Sequence, residues 1–132
     1  MAGSPHPHAT VLLEAYEAFG KGDLDRLPEL WTDDVRWHEP GAHPLAGDYT
    51  GPQEVVGLFG LAFEVTEGSL RVEVRSAFAD DTDGVAVVRM TATRGDRHLD
   101  VLAAQVHRFE DGRIAEVWDA HTDQAAVDAF FS

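Results

Sequence analysis

Residues 31–51 read WTDDVRWHEPGAHPLAGDYTG, and the interpretation of the whole chain starts from this stretch. It contains three aromatic residues, two histidines, two prolines and three glycines. Its centre predicts a short strand that stops at Pro40, because proline has no amide hydrogen for a sheet and disfavours helix at the preceding residue. Glu39 is therefore predicted to lie at a strand end, between Trp37 and a rigid turn. A carboxylate held in this way is a candidate for proton transfer.

Composition and charge exclude several classes of protein. The chain has 132 residues, which is enough for one domain that needs no covalent cross-links, and it has no cysteine for disulfide or thiolate chemistry. Its formal net charge of −14 argues against partners such as nucleic acid or an anionic membrane. The N-terminus shows no secretory signal pattern, and no apolar run approaches the ~20 residues that cross a bilayer. We therefore expect a cytoplasmic protein.

The first half of the chain predicts helices around a single strand. Residues 1–8 contain two X-Pro steps and predict a flexible N-terminal arm, followed by one domain at residues 9–132. Apolar spacing predicts a helix that Thr10 caps and that ends near Gly20, and a second short helix that begins at Asp23. The remaining predictions are a turn at 32–34, a strand at 35–39, a glycine- and proline-rich loop at 40–51, and a largely buried helix opened by Gly51 and Pro52.

The second half of the chain predicts a meander of strands. After Gly68 the apolar period changes to two, and Asp111-Gly112 is a hairpin signal. Helices followed by long strands predict an α+β fold, with the helices packed on one face of a curved sheet. The predicted strands run from Leu70 to the turn at 80–84, then over 85–94, 98–109 and 113–121, with a short helix at 123–131.

Motifs in both halves of the chain form an ordered set: Tyr16, Gly22-Asp23-Leu24-Asp25, Trp31-Thr32-Asp33-Asp34-Val35, Glu39-Pro40-Gly41, Gly47, Gly51, Asp111-Gly112-Arg113-Ile114 and Glu116-Val117-Trp118-Asp119. In this order they resemble the NTF2-like superfamily, and within it the SnoaL-like and ketosteroid-isomerase-like domains. The resemblance covers about residues 10–131. It implies a cone-shaped fold in which a strongly bent, mostly antiparallel sheet wraps on three helices around a deep pocket, with a short C-terminal helix. It does not specify a reaction, because the superfamily contains several kinds of enzyme and also non-catalytic binders.

The resemblance to ketosteroid isomerase implies that Glu39 is a base. That enzyme uses an aspartate directly before a proline after the first strand, and the segment from Ala15 to Pro40 aligns with it without gaps. The oxyanion tyrosine of the isomerase corresponds to Ala15, and Tyr16 lies about 100° further round the helix, so Tyr16 is not expected to replace it. The second oxyanion donor falls near Gln105, whose amide can donate a hydrogen bond at any pH. We therefore do not expect steroid isomerisation itself.

Strand periodicity supplies further polar residues for the predicted pocket. A period of two places His107 on the same face as Gln105, and the resemblance turns Asp119 inward on the last strand. Related SnoaL-type cyclases use an acidic residue on a late strand, which makes Asp119 a competitor of Glu39 for the role of base. The predicted catalytic residues are Glu39, Gln105, His107, Asp119 and His121. The predicted ligand-binding residues are Tyr16, Trp37, Leu45, Phe59, Phe63, Ala103 and Val117.

Other residues are expected to lie outside the catalytic set. His38 should face away from Glu39, and the loop at 41–49 should form a lid over the pocket mouth. No H-x-H or H-x-x-x-H pair occurs within residues 9–132, so we expect no metal, and we expect no other cofactor.

Two classes of function remain open. The first is a cofactor-free enzyme of the isomerase, cyclase or dehydratase type, acting on a small and largely apolar molecule with Glu39 or Asp119 as the base. The alternative is a non-catalytic ligand-binding protein or a dimeric scaffold. In either case the resemblance implies a homodimer through the open face of the sheet, which carries Arg71, Glu73, Arg108 and Trp118.

Overall fold

The computed structural model describes residues 6–132, and within them the chain forms three α-helices and one six-stranded mixed sheet. The elements are α1 (Pro7–Gly20), a 3₁₀ helix (Leu27–Leu30), β1 (Trp31–Glu39), β2 (Gly47–Thr50), α2 (Pro52–Val65), β3 (Arg71–Ala79), β4 (Asp83–Arg94), β5 (Arg97–Glu110), β6 (Arg113–His121) and α3 (Gln124–Phe131). The order of helices and strands fits the α+β class predicted from the sequence.

The sheet has the strand order β2-β1-β6-β5-β4-β3, and its one parallel pair joins β1 to β6. In that pair Trp37 lies beside Val117, and His38 lies beside Trp118. Two parallel neighbours end at the same edge of a sheet. The end of the first strand therefore meets the end of the last strand, although the two are far apart in the sequence.

The face of the sheet that the helices cover carries the apolar core. Burial along β5 alternates with a period of two, as expected for a sheet with one covered face. Gln105 and His107 lie on the covered face, and Leu102 and Val106 are exposed on the opposite face. The most deeply buried apolar residues include Leu12, Leu27, Val35, Val55, Val88, Ile114, Val117 and Val127. No helix within residues 6–132 has the length and apolar character needed to cross a membrane.

Strand β1 is longer than the sequence predicts. Thr32-Asp33-Asp34, interpreted as a turn, belongs to β1, where the register against β6 shifts between Trp31 and Arg36. Such an irregularity accommodates residues that break the alternation of apolar and polar side chains. The predicted loop after β1 also contains β2, a four-residue edge strand paired with the end of β1. The prediction for residues 40–51 was therefore partly wrong.

Helix α1 begins before the predicted cap at Thr10. His6 is the N-cap, its Nδ1 accepts a hydrogen bond from the backbone N of His8 at 3.1 Å, and Pro7 occupies the first turn. The ring of His8 stacks on Phe109 with centroids 4.1 Å apart. The last three residues of the predicted flexible arm are therefore packed at the start of the helix. The rest of that arm, residues 1–5, lies outside the described residues.

Candidate functional site

A cavity lies between the helices and the covered face of the sheet. It encloses about 860 Å³ of empty space when its opening to solvent is included. Most of its wall is apolar, which is typical of a site for a small organic molecule. Its aromatic residues are Tyr16, Phe19, Trp31, Trp37, Phe59 and Phe131, and its polar residues are Glu39, His43, Gln105, His107, Asp119 and His121.

The polar residues come together because of the strand register. Asp119 on β6 is directly opposite Gln105 on β5, and cross-strand neighbours on one face have adjacent side chains. Glu39 is the last residue of β1, one position beyond the pairing of His38 with Trp118, so it ends beside Asp119. Glu39, Asp119 and Gln105 therefore form a row across three neighbouring strands.

His121 joins the two carboxylates of this row. Its Nε2 lies 3.3 Å from Oε2 of Glu39 and 3.3 Å from Oδ2 of Asp119, and its side chain is 0% exposed. Burial by itself would lower the pKa of His121, but the hydrogen bond to Glu39 and the charges of both carboxylates raise it above its ordinary value. A protonated His121 is therefore favoured between the two acids.

Asp119 differs from Glu39 in protonation and in contacts. Burial, and then the negative charge of Glu39, raise the pKa of Asp119 to about 7. Both oxygens of Glu39 are engaged, since Oε1 accepts from Nε1 of Trp37 at 3.0 Å and Oε2 contacts His121. In Asp119, Oδ2 contacts His121 and Oδ1 is buried without a hydrogen-bond partner, while the neighbouring side chain of Gln105 acts to lower the pKa of Asp119. The carboxylate oxygen of this pair that lacks a hydrogen-bond partner is therefore Oδ1 of Asp119.

A second polar group continues the row on the side of helix α1. The hydroxyl of Tyr16 donates to Oε1 of Gln105, which leaves the amide NH₂ of Gln105 for other partners. Burial raises the pKa of Tyr16 and lowers the pKa of His107 to about 4, so both side chains are neutral at pH 7. The ring of His107 packs edge-on against Tyr16, with centroids 6.2 Å apart, and its Nδ1 has no hydrogen-bond partner.

Glu39, Asp119 and His121 together could hold either a shared proton or a metal ion. One donor atom each from Glu39, Asp119 and His121 lies within 4.8 Å of the others, and this is a candidate cation site within residues 6–132. The expectation of no metal depended on the spacing of histidines along the sequence, which cannot detect donors that come from two different strands. Removal of bound metal distinguishes the two uses of this cluster.

Five of the seven predicted ligand-binding residues line the cavity, and two do not. Tyr16, Trp37, Leu45, Phe59 and Val117 are part of its wall. Phe63 instead packs against Phe19 in the core, with ring centroids 4.9 Å apart. Ala103 is buried opposite His121 and is not part of the cavity wall. The strand period correctly gave the side of the sheet for Ala103 but not its distance from the cavity.

His38 and Trp118 lie on the opposite face of the sheet, as the strand period predicts. Their rings stack with centroids 5.6 Å apart. His38 also contacts Glu116 at 2.6 Å and Asp48 at 2.7 Å, and these carboxylates raise the pKa of His38. This outer cluster does not take part in the cavity.

His43 lines the cavity, although the sequence analysis gave it no role. It lies in the loop between β1 and β2 and is only 6% exposed. Its place between Gly41 and Pro44 in the predicted lid is the signal that could have identified it. Of the five buried side-chain atoms without a hydrogen-bond partner in the described residues, four belong to residues of the cavity wall, namely His43, His107, Asp119 and His121.

Solved structures with this architecture define the class of fold. An NTF2-like protein from Burkholderia xenovorans superposes with a TM-score of 0.83 over 99% of this chain and 100% of that one, at 18% sequence identity. Bal32a, from a soil-derived mobile gene cassette, superposes with a TM-score of 0.92 at 30% identity, covering 96% of this chain and 97% of its own. The chain therefore has the NTF2-like fold, a cone formed by helices and a curved sheet.

Sequence comparison gives the family. The family model described as a SnoaL-like domain matches residues 12–117, which is most of the chain. The uncharacterized protein Rv0034 of Mycobacterium tuberculosis is 32% identical over 124 residues, covering 92% of this chain and 94% of the relative. The chain belongs to the SnoaL-like family, as the motifs in its sequence predict.

Proposed function

We propose that this protein is a cofactor-independent enzyme that binds a small, largely apolar carbonyl compound and removes a proton from the carbon next to the carbonyl group. Asp119 is the base, and the observation that carries this choice is its buried Oδ1, which has no hydrogen-bond partner, beside a Glu39 whose two oxygens are engaged. A base is most effective when its pKa lies near the working pH, and the pKa of Asp119 is raised to about 7.

The neighbouring residues have separate roles in the proposed step. Oδ1 of Asp119 takes the proton from carbon, the electron pair of the broken C–H bond forms a C=C bond, and the π pair of the carbonyl group moves onto its oxygen to give an enolate. The amide NH₂ of Gln105, whose Oε1 is engaged by Tyr16, donates to that oxygen. His121 and Glu39 orient Asp119 and set its protonation. Return of the proton to another carbon gives isomerisation, attack of the enolate carbon on a second carbonyl gives cyclisation, and loss of a β-hydroxyl group with that proton gives dehydration.

The test is hydrogen–deuterium exchange on a simple ketone that presents acidic C–H groups and an aromatic ring. 2-Tetralone in D₂O is followed by proton NMR with wild-type protein, Asp119→Asn and the exposed control Asp96→Asn. Wild type and the control should accelerate exchange, and Asp119→Asn should lower the rate about 100-fold. Equal rates in wild type and Asp119→Asn would contradict the proposal. Binding of 2-tetralone without any exchange would favour the alternative function, a non-catalytic ligand-binding protein.

We also propose that two copies pair through the outer face of the sheet. The strand register places Phe78, Val85, Val106 and Trp118 in one row across four strands on that face. Trp118 is 39% exposed and Phe78 is 58% exposed. A continuous apolar row on a protein surface is typical of an interaction site, and a second copy carries the same row.

A further inference from the structure

His43 and His107 are the polar residues of the cavity wall that the proposed chemistry does not use, and His43 is the one that lies outside the sheet. It comes from the loop after β1, whereas the acid–base residues come from the strands. The side chain is buried, and its ring packs against Phe131 with centroids 5.3 Å apart. A buried imidazole needs hydrogen-bond partners for both ring nitrogens.

The hydrogen bonds of His43 determine which nitrogen carries the hydrogen. The backbone N–H of Leu45 donates to Nδ1 at 3.2 Å, so Nδ1 is an acceptor without a hydrogen of its own. The ring hydrogen is therefore on Nε2. That atom is buried and has no hydrogen-bond partner among the described residues. Nε2–H of His43 is thus a buried donor without a partner, on a residue that lines the cavity.

The surrounding loop holds His43 in this position. The backbone N of Ala42 donates to Oδ1 of Asp128 at 3.0 Å, and Nε2 of Gln124 donates to the carbonyl of Pro40 at 3.3 Å. Both side chains belong to helix α3, which is part of the folded core. Gly41 has a φ of +114° and lies so close to these two side chains that a Cβ there would overlap them. The position of His43 is therefore built by the fold and does not depend on a ligand.

We propose that Nε2–H of His43 donates a hydrogen bond to an oxygen of the bound molecule, and that this contact makes His43 a specificity-determining residue. The inference rests on the proposed function for one point, namely that a first oxygen, the carbonyl, lies at Gln105 and Asp119. The ligand class is then a compact ketone with a second oxygen that is neutral, such as a carbonyl or an ether. An anionic group is disfavoured because Glu39 and Asp119 lie in the same cavity and the chain has a net charge of −14.

The experiment compares ligands that differ only in the second oxygen. Matched pairs of 2-tetralone, with either a methoxy or an ethyl group at ring position 5, 6 or 7, have similar size, and only the methoxy group accepts a hydrogen bond. Binding is measured by calorimetry with the wild-type protein, His43→Phe and His43→Gln. Phenylalanine removes the donor, while the amide of glutamine can place one near the position of Nε2.

Wild-type protein should bind the methoxy compound of at least one pair about three- to tenfold more tightly than its ethyl partner, which is the range for one neutral hydrogen bond. The preference should fall to about one in His43→Phe and be partly restored in His43→Gln. The inference is wrong if wild type shows no preference in any pair, if His43→Phe keeps the preference, or if none of the probes binds.

Two further measurements separate this inference from the proposed enzymatic step. The methoxy preference should persist in Asp119→Asn, because it depends on binding and not on proton transfer. A preference that depends on His43, found together with an absence of deuterium exchange, would retain the inference and reject the enzyme. The nitrogen NMR spectrum of the free protein should show Nδ1 of His43 without a hydrogen, and a protonated Nδ1 would overturn the inference without any probe.

Discussion

Asp119→Asn should stabilise the protein at alkaline pH while it removes the proposed activity. In the folded protein, burial and the charge of Glu39 raise the pKa of Asp119 from 3.8 to about 7. The folded state then binds a proton more tightly than the unfolded state, so the free energy of unfolding falls as the pH rises from about 4 to 7. Asparagine has a similar shape to aspartate and does not titrate, so the free energy of unfolding of Asp119→Asn does not fall with pH for this reason.

The size of the effect follows from the two pKa values. Raising the pKa of a carboxyl group from 3.8 to about 7 costs the folded state about 4 kcal/mol once the group is ionised, and about 3 kcal/mol of this appears between pH 5 and pH 9. Urea denaturation, followed by the fluorescence of the three tryptophans, measures the free energy of unfolding at both pH values. Asp119→Asn should lose about 3 kcal/mol less than wild type over this interval.

The control for this measurement is Asp96→Asn, which removes a carboxylate from an exposed turn. It should follow the wild-type pH dependence, because an exposed carboxyl group has similar surroundings in the folded and unfolded states. If Asp119→Asn and wild type lose stability in parallel between pH 5 and pH 9, the pKa of Asp119 is not raised. The assignment of Asp119 as a base poised near neutral pH would then be wrong.

Five other changes test separate parts of the structure. Glu39→Gln should move the midpoint of the pH–rate profile for exchange down by about one pH unit, because Glu39 helps to raise the pKa of Asp119; an unchanged midpoint would contradict this. Gly41→Ala should lower the free energy of unfolding by about 1–3 kcal/mol, because φ at Gly41 is positive and a Cβ there would overlap side chains of α3. Gly57 lies in helix α2 with open space around it, so Gly57→Ala should raise the free energy of unfolding by about 0.5–1 kcal/mol. EDTA should leave the exchange rate unchanged, and a loss that zinc restores would reassign the cluster of Glu39, Asp119 and His121 to a metal. Trp118→Arg should convert a dimer to a monomer in sedimentation experiments, and a wild-type protein that is already monomeric would reject the proposed pairing.

Periodicity predicted the parts of the fold in which one face of an element is buried. The alternation along β5 correctly placed Gln105 and His107 on the covered face. Asp111-Gly112 correctly marked a hairpin, where both residues have the positive φ that such a turn requires. These signals are local, since each depends only on neighbouring residues and on one contact surface.

The predictions failed where long-range pairing decides the structure. Residues 32–34 look like a turn because they combine threonine with two aspartates, yet they belong to β1, in the irregular segment between Trp31 and Arg36, which both pair with β6. Strand β2 has no alternating apolar pattern, and it forms because the end of β1 supplies a partner. A propensity is a weak preference, and the hydrogen bonds of an adjacent strand overcome it.

The sequence located the residues of the predicted site, but it did not decide which carboxylate is the better candidate for the base. The sequence identified both Glu39 and Asp119, but it could not show that Trp37 engages one oxygen of Glu39 while Oδ1 of Asp119 stays free. His43 was missed because its role depends on a backbone hydrogen bond within its own loop. Hydrogen-bond partners are three-dimensional facts that residue types and spacing do not contain.

The parallel pairing of β1 with β6 also has a consequence for the order of folding. Glu39 and His121 are 82 positions apart, so the ribosome releases the first long before the second. The hairpins of β3, β4, β5 and β6 join neighbouring segments and can form early, whereas closing the chain ends has a larger entropic cost. We therefore expect the cluster of Glu39, Asp119 and His121 to form later in folding than the meander. The proposed activity would then require the completely folded chain, and a nascent or truncated chain that lacks β6 would be inactive.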